Sequence, residues 1–480
     1  MATTETSQVK RNRDESRFVC SCKCDRRDAS TQTDTKGHEP RLSRVNLFTL
    51  LSLWMELFPR NKSQPKNAEQ AKVSGLVVVQ GRKVMGLHCS SAELHVGQVA
   101  VIRHGPRLKG CDLYFSRKPC STCMKMIVNA GVNRVSYWPG DPELSLLLLS
   151  DGAAVDRQGQ GSSQEAVELD AIAAELDAQV HSHRLPFLEY VAHSESRDAR
   201  ELFDELQRQR SLEDLTATFF VTDELRHQYI LRKIGLENFC VEPYFSNLRK
   251  HMQDLIKVLA SVASSVPDLQ LGYGFYVKDL AEGPPRASPR ASPRTSLSQG
   301  LSQDLSQGLS QGLSQDVARH CMIQAQLLAY RTEDPKVGVG AVIWAEGKSG
   351  RCDGTGCMYL VGCGYNGYPG GSVCSAFPWM GSEEKDPRER KYKYIIHAEQ
   401  NALIFRSAEI KEDENTMLFV TKCPCDECVP LIVGAGIKQV YTTDLDSGKD
   451  KGDISYLKFV QLQGVQKFIW QKTPQAEDLS

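Results

Sequence analysis

One pattern occurs twice in these 480 residues, and it limits the folds open to the chain more than any other feature. The complete copy is His397-Ala398-Glu399, followed after 24 residues by Pro424-Cys425-Asp426-Glu427-Cys428. The degenerate copy is His95-Val96-Gly97, followed after 21 residues by Pro119-Cys120-Ser121-Thr122-Cys123. Cysteines three apart on the first turn of a helix point the same way, so both sulfurs reach one ion. A helix N-terminus favours the thiolate that binds metal, and Pro424 suits a helix start because the N–H it lacks has no helical partner there anyway. One imidazole and two thiolates leave the fourth position of a tetrahedral Zn2+ site open, the arrangement of a catalytic ion rather than a structural one. Cys423, two residues before Cys425, faces away and reads as a packed thiol.

Around the two copies, the chain breaks into five stretches. Residues 1–44 are a polar, disordered tail, and 45–150 hold the degenerate copy behind an apolar helix and two strands at 75–79 and 83–87. Residues 165–280 have a mostly helical pattern, as at 199–210 and 248–263, and Leu255 and Leu259 there read as helix core. Residues 283–316 form a low-complexity linker: an Arg-Ala-Ser-Pro repeat, then five Leu-Ser-Gln-Gly/Asp units ending at Asp316. The last stretch, 317–475, alternates a helix (318–330), strands (338–344 and 359–364), a helix from His397, a strand (417–421), a helix near Cys425 and a strand (439–443). That alternation predicts an α/β sandwich.

The longest apolar run, 46–58, is 13 residues, contains Glu56 and is too short to span a bilayer. No membrane contact is expected, and without a secretory leader the chain is read as cytoplasmic, with the nucleus as a second site. The 16 cysteines are then reduced, which favours metal binding or catalysis over disulfides. A net charge of −1 counts against a chain whose main task is gripping a polynucleotide.

Glu399 lies two residues beyond His397, beside the open position without being a ligand, and a carboxylate there can move a proton to and from a water. A lone Cys-x-x-Cys would leave a redox pair or a structural ion equally open; the histidine and glutamate at this spacing separate the cases. His-x-Glu followed by Pro-Cys-x-x-Cys is the signature of zinc deaminases, and the last stretch resembles the cytidine and deoxycytidylate deaminase family, within it the deoxycytidylate branch. Asp334-Pro335 before the Val-Gly-Ala-Val strand at 339–342, the Gly-Tyr-Asn-Gly-Tyr-Pro loop at 364–369, and Pro378-Trp379 ahead of Lys391-Tyr392 add to that resemblance.

The resemblance implies an α/β fold of two cytidine-deaminase-like α/β/α sandwiches, each with a mixed central sheet, joined by the helical block and the linker. It implies zinc-dependent hydrolytic deamination of a free deoxycytidine nucleotide, dCMP or dCTP, with zinc on His397, Cys425 and Cys428 and Glu399 as the proton carrier. A nucleoside deaminase and an editor of cytosine in RNA or single-stranded DNA are the alternatives; the latter needs a basic groove with stacking aromatics. Asn366 is implied to hydrogen-bond the nucleotide, although Asn-Gly is also an ordinary turn signal. Homo-oligomers are common in the family.

The degenerate copy aligns with the complete one at four of eight positions from His95, and Gly97 stands where Glu399 does. A competing register sets Ser91-Ala92-Glu93 against His397-Ala398-Glu399 and loses the histidine. In the preferred register His95, Cys120 and Cys123 bind zinc and the block is catalytically silent, either packing on its active relative or holding a nucleotide effector. Arg82, Lys83, Arg103, Arg107, Lys109, Arg117 and Lys118 supply charge for phosphates, or are a solvated surface. In the tail, Thr31-Gln32-Thr33 is similar to peptides that bind dynein light chain by strand addition, and Cys20, Cys22 and Cys24 read as an incidental cluster in an unstructured tail, with a metal or lipidation site as the alternative.

Overall fold

The computed structural model describes residues 42–59, 73–91, 94–143, 210–266, 273–277, 313–332, 337–348, 354–369, 394–443 and 454–472. The tail with Cys20 to Cys24 and Thr31 to Thr33, the 199–209 helix, Glu93, most of the repeat linker, Asp334-Pro335, Pro378-Trp379 and Lys391-Tyr392 lie outside the described residues.

The first block runs α1 (Arg44–Glu56), β1 (Gly75–Gln80), β2 (Lys83–Cys89), α2 (Val96–His104), β3 (Asp112–Phe115), α3 (Ser121–Asn129) and β4 (Arg134–Tyr137). Three helices follow, α4 (Arg210–Phe219), α5 (Glu224–Lys233) and α6 (Tyr244–Ser264), then β5 (Tyr273–Val277). The last block contains α7 (Gln315–Ala329), β6 (Gly340–Glu346), β7 (Met358–Tyr365), α8 (Ala398–Ile404), β8 (Asn415–Val420), α9 (Cys428–Gly434), β9 (Gln439–Thr442), α10 (Leu457–Gln461) and β10 (Gln466–Lys472).

The two sheets are built to one plan. The first has strand order β2-β1-β3-β4, and the second reads β7-β6-β8-β9 over the corresponding elements, extended by β10 and β5. In both, the first hairpin is antiparallel, its first strand is antiparallel to the third, and the last pair is parallel. Even the bulge recurs, at Val78/Val79 and at Ile343/Trp344. Mixed sheets of this kind need crossover helices, and the period-2 alternation of side chains sorts each strand between two cores. Val342, Trp344, Met417 and Phe419 enter one core, while Ala341, Ile343, Leu418 and Val420 enter the other with α8 and α9.

The blocks share the first of those cores. Helix α1 is buried on all sides, as an all-round apolar helix must be. Trp54 stacks on His320 of α7 at 4.8 Å and donates from Nε1 to the His320 carbonyl at 3.0 Å. Gln324 binds both blocks, donating to Met55 Sδ at 3.2 Å and accepting from Trp344 Nε1 at 3.0 Å. The helices approach their own sheets so closely that only glycine fits: a Cβ on Gly75 would lie 2.1 Å from the Ser52 carbonyl, and one on Gly340 1.9 Å from the Ala325 carbonyl.

Two expected boundaries move. Strand β5 lies inside the stretch read as the helical block, yet it pairs antiparallel with β10 and closes the edge of the second sheet. The fifth Leu-Ser-Gln-Asp unit, read as linker, starts α7 instead. Ser314 accepts from Val317 N at the N-cap, and Asp316 complements the positive end of the helix. Gln315 then bonds both backbone groups of Phe275 on β5, at 2.7 and 2.8 Å. The last unit of the repeat takes its structure from the cap and the strand edge that meet it. The ends of α4 and α5 meet the far end of the first sheet: Trp138 Nε1 donates to Phe219 O, and Tyr137 OH to Ile234 O. Helix α6 packs against α1 and α7, and its Leu255 and Leu259 are buried as expected. Among the described residues, no helix is long and apolar enough to cross a membrane.

Candidate metal centres and active site

Both histidines stand at a helix N-cap in extended backbone, His397 before α8 and His95 before α2. Each is held there by the glutamine three residues on, whose Oε1 accepts the histidine N–H at 2.9 Å (Gln400 and Gln98). This reciprocal cap fixes where the ring points. It also sets His95, not Ser91, opposite His397, as in the preferred register.

In the last block His397 Nδ1 lies 3.2 Å from Cys425 Sγ and 3.3 Å from Cys428 Sγ, all three in ligand reach of one ion. The cysteine turn departs from the expected helix start near Cys425. Helix α9 begins at Cys428, because Pro430 has no N–H to bond the Asp426 carbonyl. Asp426 is held from outside by the Ser455 carbonyl and the Lys458 N–H. Cys428 N and Val429 N still close on the Cys425 carbonyl at 3.0 Å, so both sulfurs keep one direction. In the first block the helix does start at the pair, with Cys120 as N-cap of α3. Cys423 is buried in the core and is not among the gathered donors.

Charge is concentrated at this site. The hydrogen bond from Cys428 draws the Cys425 thiol down to about 4, and Cys428 is raised in turn. Burial opposes charge on His397, yet Cys425 and Glu399 outweigh it and lift the imidazole to about 9. Burial pushes the Glu399 carboxyl up to about 7, against the pull of His397. Glu399 is 5% exposed, on the first turn of α8. An electron-rich N,S,S set with a buried carboxyl beside it suits a thiophilic divalent ion such as zinc.

Asn366 follows β7, and its neighbour Gly367 bridges to Ile396, the residue before His397. Its side chain is largely engaged with the chain itself. Oδ1 accepts from Val339 N at 2.7 Å and from Thr332 Oγ1 at 2.8 Å, while Nδ2 donates to Val337 O at 2.9 Å. A positioning task is therefore visible for Asn366, and its second Nδ2 proton meets no acceptor among the described residues.

In the first block His95 Nδ1 lies 3.2 Å from Cys120 Sγ, and Cys123 completes the expected trio. A fourth donor joins them that the sequence reading missed: Glu143, with its Oε2 3.4 Å from His95 Nδ1. No spacing rule pointed to it, since it follows β4 and shares no motif with the cysteines. Two of the basic residues of this block, Arg117 and Arg82, lie apart. Arg117 is engaged with Glu56 at 2.5 Å, while Arg82 lies beside the Phe405 ring at the other end of β1, on the order of 20 Å away at strand rise.

The class follows from this fold and these donors, and the comparisons agree. The description "Cytidine and deoxycytidylate deaminase zinc-binding region" matches residues 52–138 and 315–443, one match in each block. The chain belongs to the cytidine and deoxycytidylate deaminase family. It is 54% identical over 469 residues to cytidine and dCMP deaminase domain-containing protein 1 of Danio rerio, covering 92% of this chain and 93% of that one. It is also 35% identical over 153 residues to the deoxycytidylate deaminase of Homo sapiens, covering 31% of this chain and 77% of that one. Among solved structures, the dCMP deaminase of cyanophage S-TIM5 is 23% identical, with a TM-score of 0.24 over 33% of this chain and 99% of that one.

Proposed function

We propose that the last block catalyses hydrolytic deamination of a free deoxycytidine nucleotide, dCMP or dCTP, and that the first block does not turn over. One observation carries the reading: His397, Cys425 and Cys428 gather at two chain turns with buried Glu399 beside them, whereas the corresponding position in the first block is Gly97. His397, Cys425 and Cys428 are the residues that would hold zinc, which when bound supplies Lewis-acid activation of a water.

The remaining chemistry belongs to the chain. Glu399 takes a proton from the attacking water and delivers it to N3 of the cytosine ring. As the C4–O bond forms and the C4–N bond breaks, the second water proton reaches the amino group through the same carboxyl, and ammonia leaves. The uracil carbonyl stays on C4. Burial suits Glu399 to this exchange, because a shielded carboxyl passes its proton to substrate and not to bulk water. Asn366 holds the segment at Val337 and Val339 against the β7 end, and the role it would add is a hydrogen bond from Nδ2 to the nucleotide. The likeness to named deoxycytidylate deaminases supports a nucleotide over a nucleoside.

The test offers cytidine, deoxycytidine, dCMP, dCTP and a cytosine-containing oligonucleotide to the full chain and to Glu399→Ala. Conversion of a free nucleotide that vanishes in Glu399→Ala is expected. Conversion of the oligonucleotide alone, or activity that survives the substitution, overturns the reading.

A further inference from the structure

The first metal cluster has a donor that the second lacks. Glu143 is 4% exposed, and both ends of the residue are tied down. Its N–H donates to the Lys118 carbonyl at 3.0 Å, and Oε1 accepts from Ser74 Oγ at 2.9 Å. Those bonds aim Oε2 at the ligands, where it accepts from Cys120 N at 3.0 Å and lies 3.4 Å from His95 Nδ1. The donor atoms of His95, Cys120, Cys123 and Glu143 all lie within 4.8 Å of one another. Around a tetrahedral zinc, the usual bond lengths put an imidazole nitrogen about 3.3 Å from a carboxylate oxygen and about 3.6 Å from a sulfur. The observed 3.4 Å matches the first edge, and the 3.2 Å from His95 to Cys120 is slightly shorter than the second.

Gly97 bears on the same point. A Cβ there would lie 2.7 Å from Cys123 Cβ and 3.0 Å from Cys123 Sγ, with Ile127 Cδ1 at 3.3 Å. Any side chain at this position, which matches Glu399 of the last block, would run into Cys123 itself. The first block thus differs by more than one substitution: its carboxylate arrives from the segment after β4, on the metal side, and the helix position has no room for another.

We propose that Glu143 is the fourth protein ligand of a closed, structural zinc site in the first block, occupying the coordination position that a water would need. The site holds α2, α3 and the segment after β4 together and excludes exchangeable ligands. The inference stands independently of the substrate proposed for the last block, and its test does not read deaminase activity.

The full chain is loaded with cobalt(II) in place of zinc, and its visible absorption is titrated with azide, which binds cobalt only where a coordination position exchanges. The intact chain should take up two cobalt ions, one responding to azide; Glu143→Ala should make the second respond. Glu143→Cys reads the ligand directly. It raises the thiolates on cobalt from four to five, and the sulfur-to-cobalt absorption should grow by about a quarter. If Glu143→Ala unfolds, this second variant decides. Azide response at both ions in the intact chain, or sulfur absorption unchanged in Glu143→Cys, overturns the proposal.

Discussion

The two metal clusters share a histidine cap, a glutamine that fixes it and a cysteine pair, and they differ in the origin of their carboxylate. In the last block it is Glu399, one residue into α8, beside the N,S,S donors and not counted among them. In the first block it is Glu143, reaching the donors from the far side of β4, while Gly97 lies against Cys123. A carboxyl next to an open position can carry protons; a carboxyl aimed at the ion fills the position a water would need. On the proposed reading, the same fold supports chemistry or cohesion according to which element contributes one acidic group.

The sharpest way to break this comparison is at the proton carrier. Glu399→Gln is expected to lower turnover on the order of 10²–10⁴-fold while two zinc ions per chain remain, measured by steady-state assay and metal analysis. Loss of zinc together with activity would make Glu399 a ligand and erase the contrast. Chelation tests the same difference without a mutation. The three-donor cluster should release its ion to a competing chelator first, abolishing activity, and the four-donor cluster later, lowering the melting temperature. Simultaneous release would contradict the distinction.

The contact that joins the two halves comes next. Trp54→Ala removes a ring stacked on His320 and should cost about 3–5 kcal/mol in denaturant unfolding, with both blocks responding because their core is continuous. A smaller effect tests their equivalence. Gly75→Ala and Gly340→Ala each force a methyl against a helix carbonyl, and each should destabilise by about 1–3 kcal/mol; a large effect at one and none at the other would show that the two helices dock differently.

The smallest expected effect is on acid stability and belongs to the first block. His88 and His104 face each other Nε2 to Nε2 at 2.7 Å, with Arg103 and Arg107 nearby. Burial holds His88 well below its usual range and His104 at about 4, so the folded pair stays neutral while the unfolded chain takes up protons. Stability from this pair is unaffected above about pH 6.5, the ordinary histidine value, and falls as pH drops from there toward 4. A His104→Gln variant should flatten the melting temperature over that window, whereas Arg406→Gln, at the matching place in the last block, should not.

Much of the last block's cluster was legible in the chain itself. His397, Cys425 and Cys428 are recognisable because a tight turn imposes short spacings on groups that must face one ion, Glu399 follows two residues after His397, and His95, Cys120 and Cys123 repeat the spacing. The strands around them were legible for the same reason, since alternation and turns are local. The start of α7 was hidden, because Ser314 and Gln315 look like every other unit of the repeat until β5 and a helix end receive them. The pairing of β5 with β10, the docking of Trp54 on His320 and the arrival of Glu143 at the ligands were likewise beyond a linear reading. The sequence by itself determined that two ligand sets exist and that one of them has a glutamate on its helix. Only the tertiary structure decided that the other set has acquired a carboxylate of its own. Ligand spacing within a turn is set by helix geometry, whereas the approach of β4's downstream segment is set by how the sheet closes and what it buries.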